Sequence, residues 1–253
     1  MTPAADSFGS YGRHGSPCLS LGAARVADRV VTLAIVLVLV LLMAISGYGL
    51  WDSWRVLEGG DQLAKPADSN SFAELMAINP DVCAWITVDG TNIDYPVVQG
   101  KDDFEYLTKD ARGEYAASGG IFLEAENDRS FPGPYEMLMG HHMAYGKMFG
   151  DLDKFLDLNF FDGNSTATLM LPDKTLSLEV MAVMQADAYD GMVYGVSSAV
   201  SRMPELVSYI NDHAIHKRGE GLSADDHLIA LSTCNSAGAD ARTLLLCRVT
   251  GES

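Results

Sequence analysis

Cysteine is scarce in this chain, and its spacing excludes a cysteine-built scaffold. Four cysteines occur among 253 residues, at Cys18, Cys83, Cys234 and Cys247. They form neither a spaced disulfide framework nor a Cys-x-x-Cys pair, so we predict no metal site and no cofactor. Cys83 and Cys247 lie in apolar, strand-like runs and are interpreted as small buried side chains, with a mutual disulfide as the alternative.

Basic residues are also few. Lys and Arg number 17 against 34 Asp and Glu, which gives a formal net charge of −17 at pH 7. After residue 50 the counts are 14 and 32, a formal charge of −18. Because binding to phosphates needs the opposite sign, nucleic acid is excluded as a partner. The acidity is interpreted as a source of solubility, with a site for a cation or cationic substrate as the alternative.

Long hydrophobic runs are limited to one. From Val30 to Leu50 the chain has 21 residues without a charged side chain. As a helix this run spans roughly 31 Å, close to the bilayer's hydrocarbon thickness of about 30 Å. The run is longer than the apolar part of a signal peptide, and no Ala-x-Ala cleavage site follows it. We therefore predict an uncleaved membrane anchor at residues 30–50.

The charges that flank this run set the predicted orientation. Arg13, Arg25 and Arg29 precede it, and Arg55 and Lys65 follow it. This modest excess of positive charge on the N-terminal side places the N-terminus in the cytoplasm and the rest of the chain outside the cell.

Polar flanks divide the remainder of the chain. Stretches rich in Gly, Ser, Pro and other polar residues occur before the apolar run and again from Glu58 to Asn70. They are typical of flexible segments. We predict a cytoplasmic tail at 1–29, the anchor at 30–50, a linker at 51–70 and one folded, catalytic domain at 71–253.

The folded domain is predicted to be mostly β. Eight short apolar or alternating runs recur, at 84–88, 93–98, 120–123, 136–141, 167–171, 175–185, 227–234 and 243–249. Eight strands without regular intervening helices indicate a mostly antiparallel barrel. Asp173-Lys174 is predicted to be a hairpin turn.

Two helices are predicted around these strands. Ser71 and Glu74 have the spacing of a capping box, which predicts a short helix that ends before Pro80. The second helix is predicted from about Ser197 to His216. Its apolar face would consist of Val200, Met203, Leu206, Val207, Ile210 and Ile215.

Three reactive residues are predicted at strand ends. Cys234 ends the apolar run that begins at His227, Arg242 begins the next run, and His141 follows Gly140 at the end of an earlier one. Strand ends present side chains at an open edge, and a nearby guanidinium favours the thiolate. A cysteine, a histidine and an arginine so distributed indicate nucleophilic catalysis.

On these residues the chain resembles the sortases, cysteine transpeptidases of Gram-positive cell surfaces. Their motif Thr-Leu-x-Thr-Cys is matched by Ala230-Leu-Ser-Thr-Cys234, with Ala230 in place of the first threonine. The family's catalytic histidine and arginine correspond to His141 and Arg242. Class B members are also similar to stretches within residues 72–88, 90–100, 119–123 and 148–152, so that the resemblance covers roughly residues 70–250.

The resemblance implies an eight-stranded sortase-type β-barrel with peripheral helices, preceded by one transmembrane helix. It also implies that Cys234 cleaves a C-terminal sorting signal of surface proteins through a thioacyl intermediate, with His141 as the acid. The acyl group then passes to an amine acceptor, either a peptidoglycan precursor or a pilin lysine. Arg242 would serve the oxyanion, and the helix near residues 197–216 would wall the substrate groove.

Several alternatives stay open from the sequence. Thr233 contacts substrate, positions the nucleophile loop or has no function, and Arg242 could instead pair with Asp240. His142 is interpreted as a structural or supporting residue. At the level of the whole protein, a hydrolytic cysteine protease and a catalytically idle surface-binding barrel are the alternatives.

Overall fold

The computed structural model describes residues 21–58, 63–234 and 241–253. The chain divides into two units, Met1–Asp52 and Ser53–Ser253. Most of the predicted tail, part of the predicted linker and the segment after Cys234, including Asp240, lie outside the described residues.

The first helix, α1, is long and apolar. It runs from Leu21 to Glu58, and its stretch Gly22–Trp51 is apolar and long enough to cross a membrane. Large side chains along it, such as Leu39 and Leu41, are exposed. A helix with exposed apolar side chains on all sides is compatible with a single-pass membrane anchor.

The second helix, α2, spans Ser69–Ile78 and begins earlier than predicted. Its N-cap is Asp68, whose carboxylate accepts a hydrogen bond from the Ser71 amide at 2.8 Å. The Ser71 hydroxyl oxygen accepts in turn from the Asp68 amide at 2.9 Å. The predicted capping box of Ser71 and Glu74 is therefore wrong, because Asp68 already caps the helix one turn upstream.

The described residues contain nine strands, eight of which form a closed barrel. They are β1 Val82–Val88, β2 Asp94–Val98, β3 Ile121–Leu123, β4 Tyr135–Gly140, β5 Thr166–Met170, β6 Thr175–Asp187, β7 His216–Lys217, β8 Leu228–Cys234 and β9 Ala241–Glu252. Their order is β5-β1-β2-β3-β4-β8-β9-β6-β7, and a further pairing of β5 with β6 closes eight of them. The predicted eight-stranded barrel is confirmed, and the two-residue β7 is an additional edge strand.

The pairing is mostly antiparallel, as predicted. Only β2 with β3 and β4 with β8 run parallel among these neighbours. The predicted turn at Asp173-Lys174 joins β5 to β6 in a hairpin in which Met170 is opposite Thr175.

Two further α-helices follow β4 in the described part of the chain. A short helix, α3, spans Leu158–Gly163, and α4 spans Val196–His213. Four residues of the predicted apolar face of α4 are buried against the outside of the barrel, namely Met203, Leu206, Val207 and Ile210. The predicted end at His216 is wrong, because Ile215 is exposed beyond the helix and His216 belongs to β7.

The strands therefore separate two apolar clusters. On β8, Ile229 and Leu231 belong to the cluster that fills the barrel. Leu228 and Ala230 belong to the cluster on the outer face, which packs under α4. This alternation is the two-residue period of a strand buried on both faces.

Candidate active site

The register of β4, β8 and β9 brings the three predicted catalytic positions to one end of the barrel. β4 ends at Gly140, which is opposite Thr233 on the parallel strand β8. One residue further on, Cys234 is opposite Arg242 on β9. His141, Cys234 and Arg242 thus occupy the ends of three adjacent strands.

These three positions also share a face of the sheet. Met137 on β4, Ala230 on β8 and Leu244 on β9 belong to the apolar cluster outside the barrel. Positions 141, 234 and 242 lie an even number of residues away, so the strand period places them on the same outer face.

A pocket opens on this face with a volume of about 410 Å³. The residues that line it include His141, Arg242, Tyr194, Asp103, Phe104 and Glu124. A concave site of this size, with apolar walls and a few polar groups, suits one or two residues of a bound peptide.

The predicted role of α4 as a wall of the substrate groove needs one correction. From this part of the chain, the described residues that reach the pocket are Ala188 and Tyr194, both of which precede α4. The helix covers the outer face of the barrel, and the segment before it forms the wall.

The imidazole of His141 is held by one hydrogen bond. Its Nε2 lies 2.8 Å from the carbonyl oxygen of Leu107. A carbonyl oxygen can only accept, so Nε2 carries a hydrogen. This bond fixes the ring and leaves Nδ1 for proton exchange with another group.

Gly119 makes this arrangement possible, and the sequence did not single it out as a site residue. Its φ is +61°, a conformation that other residues rarely adopt. A Cβ atom there would lie 2.8 Å from the Leu107 carbonyl oxygen and 3.0 Å from Cδ2 of His141. Only glycine lets the chain pass this close to the histidine.

Arg242 lies beside an aromatic ring. Its guanidinium carbon is 5.8 Å from the centroid of Tyr194. The Tyr194 hydroxyl is 3.0 Å from Oγ of Ser232, two residues before Cys234. Tyr194, another residue that the sequence did not reveal, thereby connects the pocket wall to β8.

The described cysteines away from this site are chemically quiet. Cys83 and Cys247 are both buried free thiols, so the alternative of a disulfide between them is wrong. Burial raises the pKa of each thiol to about 12. Neither thiol ionises near neutral pH, and only thiolates are effective nucleophiles.

Thr233 is fully buried between two strands, opposite Gly140 and Thr243. It is one residue from Cys234 and lies on the inner face of the barrel wall by the strand period. Burial on that face favours, of the roles open from the sequence, that of supporting the nucleophile strand.

A carboxylate lies beneath the same strand ends. Nε2 of His142 is 3.1 Å from Oδ2 of Asp153, and the Thr243 hydroxyl donates to Oδ1 of Asp153 at 2.7 Å. Asp153 was not predicted as a site residue.

The remaining histidines within the described residues have structural partners. His213 and His216 each bond to a backbone carbonyl, and Nε2 of His227 lies 2.7 Å from Oε2 of Glu136. Among the described residues, no group of three or more His, Cys, Asp or Glu side chains could hold a metal ion.

Glu124, which also lines the pocket, has a carboxyl group with a raised pKa. Burial, aided by the negative charge of Asp103, raises its pKa to about 7. It is therefore only partly ionised at neutral pH.

Comparisons with known proteins agree on one family, although no protein-family model matches the chain. The chain is 34% identical to a solved class B sortase of Streptococcus pyogenes involved in pilus biogenesis, covering 70% of this chain and 97% of that one, with a TM-score of 0.65. It is 35% identical to a solved sortase B from the type II pilus of Streptococcus pneumoniae, covering 71% and 98%, with a TM-score of 0.59. Sortase B of Listeria monocytogenes is 28% identical over 66% of this chain and 68% of that protein.

These similarities extend over nearly the whole length of the two solved streptococcal structures and include the closed barrel described above. The protein therefore belongs to the class B sortases, a family of cysteine transpeptidases.

Proposed function

We propose that Cys234 is the nucleophile, His141 the general acid and Arg242 the oxyanion donor of this sortase. The observation that carries the proposal is the register of three adjacent strands, which places all three positions at one end and on one face of the barrel. The pocket beside them includes His141 and Arg242 in its lining.

In the first half-reaction, the Cys234 thiolate attacks the scissile carbonyl of a sorting-signal peptide. The carbon–nitrogen bond breaks as protonated His141 donates its proton to the leaving amine, and a thioester to Cys234 is left. The hydrogen bond from Nε2 to Leu107 supports Nδ1 as the atom that gives up this proton.

In the second half-reaction, an amine acceptor attacks the thioester carbonyl. An amide forms, the carbon–sulfur bond breaks, and the amine's proton returns to His141 while the thiolate is regenerated. Water gives hydrolysis instead of transfer, so the ratio of the two products distinguishes a transpeptidase from a protease.

Arg242 suits the charge that develops on the carbonyl oxygen in both steps. Its guanidinium presents several donors in a rigid fork. Among the described residues no carboxylate forms an ion pair with it, and the ring of Tyr194 lies alongside. A guanidinium in the lining of the pocket can donate to an oxyanion there.

The acceptor is a peptidoglycan precursor or a pilin lysine. The pilus systems named for the two streptococcal relatives support the lysine. We further propose that residues 30–50 anchor the protein, with the N-terminus in the cytoplasm, a linker at 51–70 and the catalytic domain at 71–253 outside.

The test uses the full-length protein in detergent micelles. Fluorogenic peptides from C-terminal sorting signals are supplied alone, with a lysine-containing peptide, or with a stem peptide that bears a free amine. We expect an amide product with one of the two acceptors. Cleavage at a rate and to products unchanged by either amine would indicate a protease, and no thiol-dependent cleavage would indicate an idle binding module.

A further inference from the structure

We propose that Asp153 is a positioning residue that holds the two strands flanking the nucleophile strand in catalytic alignment. The inference rests on the proposed function, because it assigns Asp153 to the support of His141 and Arg242. Asp153 itself is not expected to touch the substrate.

The geometry shows one carboxylate joined to two strand ends. Oδ2 lies 3.1 Å from Nε2 of His142, the residue after His141. Oδ1 accepts the hydroxyl hydrogen of Thr243, the residue after Arg242, at 2.7 Å. Each oxygen therefore serves a different strand, and each partner is the chain neighbour of a proposed catalytic residue.

These two strands are not neighbours in the barrel. β8 lies between β4 and β9, and Cys234 is its last residue. The link through Asp153 therefore spans the end of the nucleophile strand, on the face opposite the pocket. A shift of either strand end would change the distance from Cys234 to His141 or to Arg242.

Asp153 belongs to a segment that is itself firmly held. The 3-10 helix Gly150–Leu156 buries Leu152 and Phe155 in the cluster inside the barrel. Gly150 packs so tightly on the chain after His142 that a Cβ atom would lie 2.2 Å from the Met143 carbonyl oxygen. A carboxylate on such a segment is a fixed reference for the strand ends rather than a mobile surface group.

The two hydrogen-bond partners of Asp153, Thr243 and His142, differ in burial, so each can be tested separately. Thr243 is fully buried, so replacement by valine keeps its shape and removes only the hydroxyl. The side chain of His142 is 27% exposed, so its truncation is tolerated more easily.

The chain supplies a control of the same residue type for Thr243 and another for Asp153. Thr250 is on β9 too, but its hydroxyl bonds to the Ser177 carbonyl oxygen at the other end of the strand. Asp151 is in the same helix as Asp153, but its carboxylate accepts from the Asn92 amide and from Lys154. Thr250 is exposed whereas Thr243 is buried, so the melting temperature of each variant is needed to separate a loss of stability from a loss of alignment.

The experiment measures kcat and KM for peptide transfer, together with the melting temperature, for full-length variants in detergent. We expect Thr243→Val and Asp153→Asn each to lower kcat about 10-fold or more while KM stays within about two-fold, because small misplacements of reacting groups cost rate. Thr243→Ser, which keeps the hydroxyl, should retain most of kcat. Thr250→Val and Asp151→Asn should leave kcat near that of the wild type. The melting temperatures show whether any loss of kcat in the other variants comes from a loss of stability.

The outcomes separate this inference from the proposed function. Wild-type transfer together with an inactive Cys234→Ala variant establishes the proposed function independently. If Thr243→Val and Asp153→Asn then match their controls in kcat, the positioning role is wrong although the chemistry stands. If Thr243→Val fails to fold, His142→Ala takes its place, and a normal kcat in that variant overturns the inference.

Discussion

The two ends of β4, β8 and β9 carry similar residue types with different partners. At the start of β4, Glu136 is almost completely buried and accepts from His227, while Arg248 on β9 is paired with Glu179. At the opposite end, His141 bonds to a neutral carbonyl and Arg242 lies over a tyrosine ring.

The difference explains why one end is suited to chemistry. At the first end the histidine and the arginine each face a carboxylate, so the donors that they direct to it are already satisfied. At the second end the histidine and the arginine border a pocket, and no carboxylate among the described residues pairs with either of them. Residue type alone does not identify an active site; the partners of those residues do.

The largest effect is expected from removing the proposed nucleophile. Cys234→Ala should abolish transfer, whereas Cys83→Ala and Cys247→Ala should retain it, because burial keeps those two thiols protonated. The measurement is the rate of amide formation for each variant. Equal losses of transfer rate in all three variants would show that the cysteine substitutions act through folding. Cys234 would then not differ from the two buried cysteines.

Arg242 and Arg248 compare the two ends of one strand directly. Arg242→Lys keeps the charge but loses the rigid fork, and removal of an oxyanion donor costs on the order of 10²- to 10³-fold in rate. We expect a loss of that size in kcat for Arg242→Lys. Arg248→Lys should leave kcat within about two-fold, because its partner is the structural Glu179. Near-normal turnover of Arg242→Lys would remove Arg242 from the mechanism.

Gly119→Ala should lower kcat about 10- to 100-fold, because the new methyl group would press on the Leu107 carbonyl that holds His141. Gly113→Ala is the control. Gly113 also has a positive φ, but a Cβ there meets only the Asn79 side chain, at 3.9 Å. If both variants lose the same activity, backbone strain is responsible and the contact with His141 is irrelevant.

The smallest effect concerns stability and pH. In the folded protein the pKa of Glu124 is about 7, against an ordinary value of 4.5. Its stabilising contribution is therefore complete below about pH 4.5 and is lost as the pH rises through about 7. Between pH 5 and 8 this change amounts to up to about 3 kcal/mol of the free energy of unfolding. Glu124→Gln removes the ionisable group, so the melting temperature of this variant should depend less on pH than that of the wild type. An unchanged pH dependence would show that Glu124 ionises normally.

The sequence predicted the barrel well because its strands are encoded locally. Runs such as residues 227–234 are apolar and end in small or polar residues, so all eight strands were found within a few residues of their ends. β7 was missed because two residues, His216 and Lys217, are too few to carry a periodic pattern. The first turn of α2 was misplaced because Asp68 and Ser71 compete for the same capping role.

From the sequence, the candidate site could be proposed only where the chain marks it with a motif. His141, Cys234 and Arg242 stand at strand ends, and the register brings their positions together. Tyr194 and Asp153 form hydrogen bonds to residues 38 and 90 positions away in sequence. Such contacts depend on the closed barrel and leave no local signal, so they become visible only in the folded structure.

The most direct test of the central claim is to observe the thioacyl enzyme and its fate. Full-length protein in detergent is mixed with a sorting-signal peptide without acceptor, and its intact mass and peptide map are recorded. We predict an added mass equal to the N-terminal fragment of the peptide, attached at Cys234, which disappears when an amine acceptor is added and reappears as an amide product. An acyl group on another residue, or its release to water at the same rate with and without the amine, would contradict the assignment of this site as a transpeptidase.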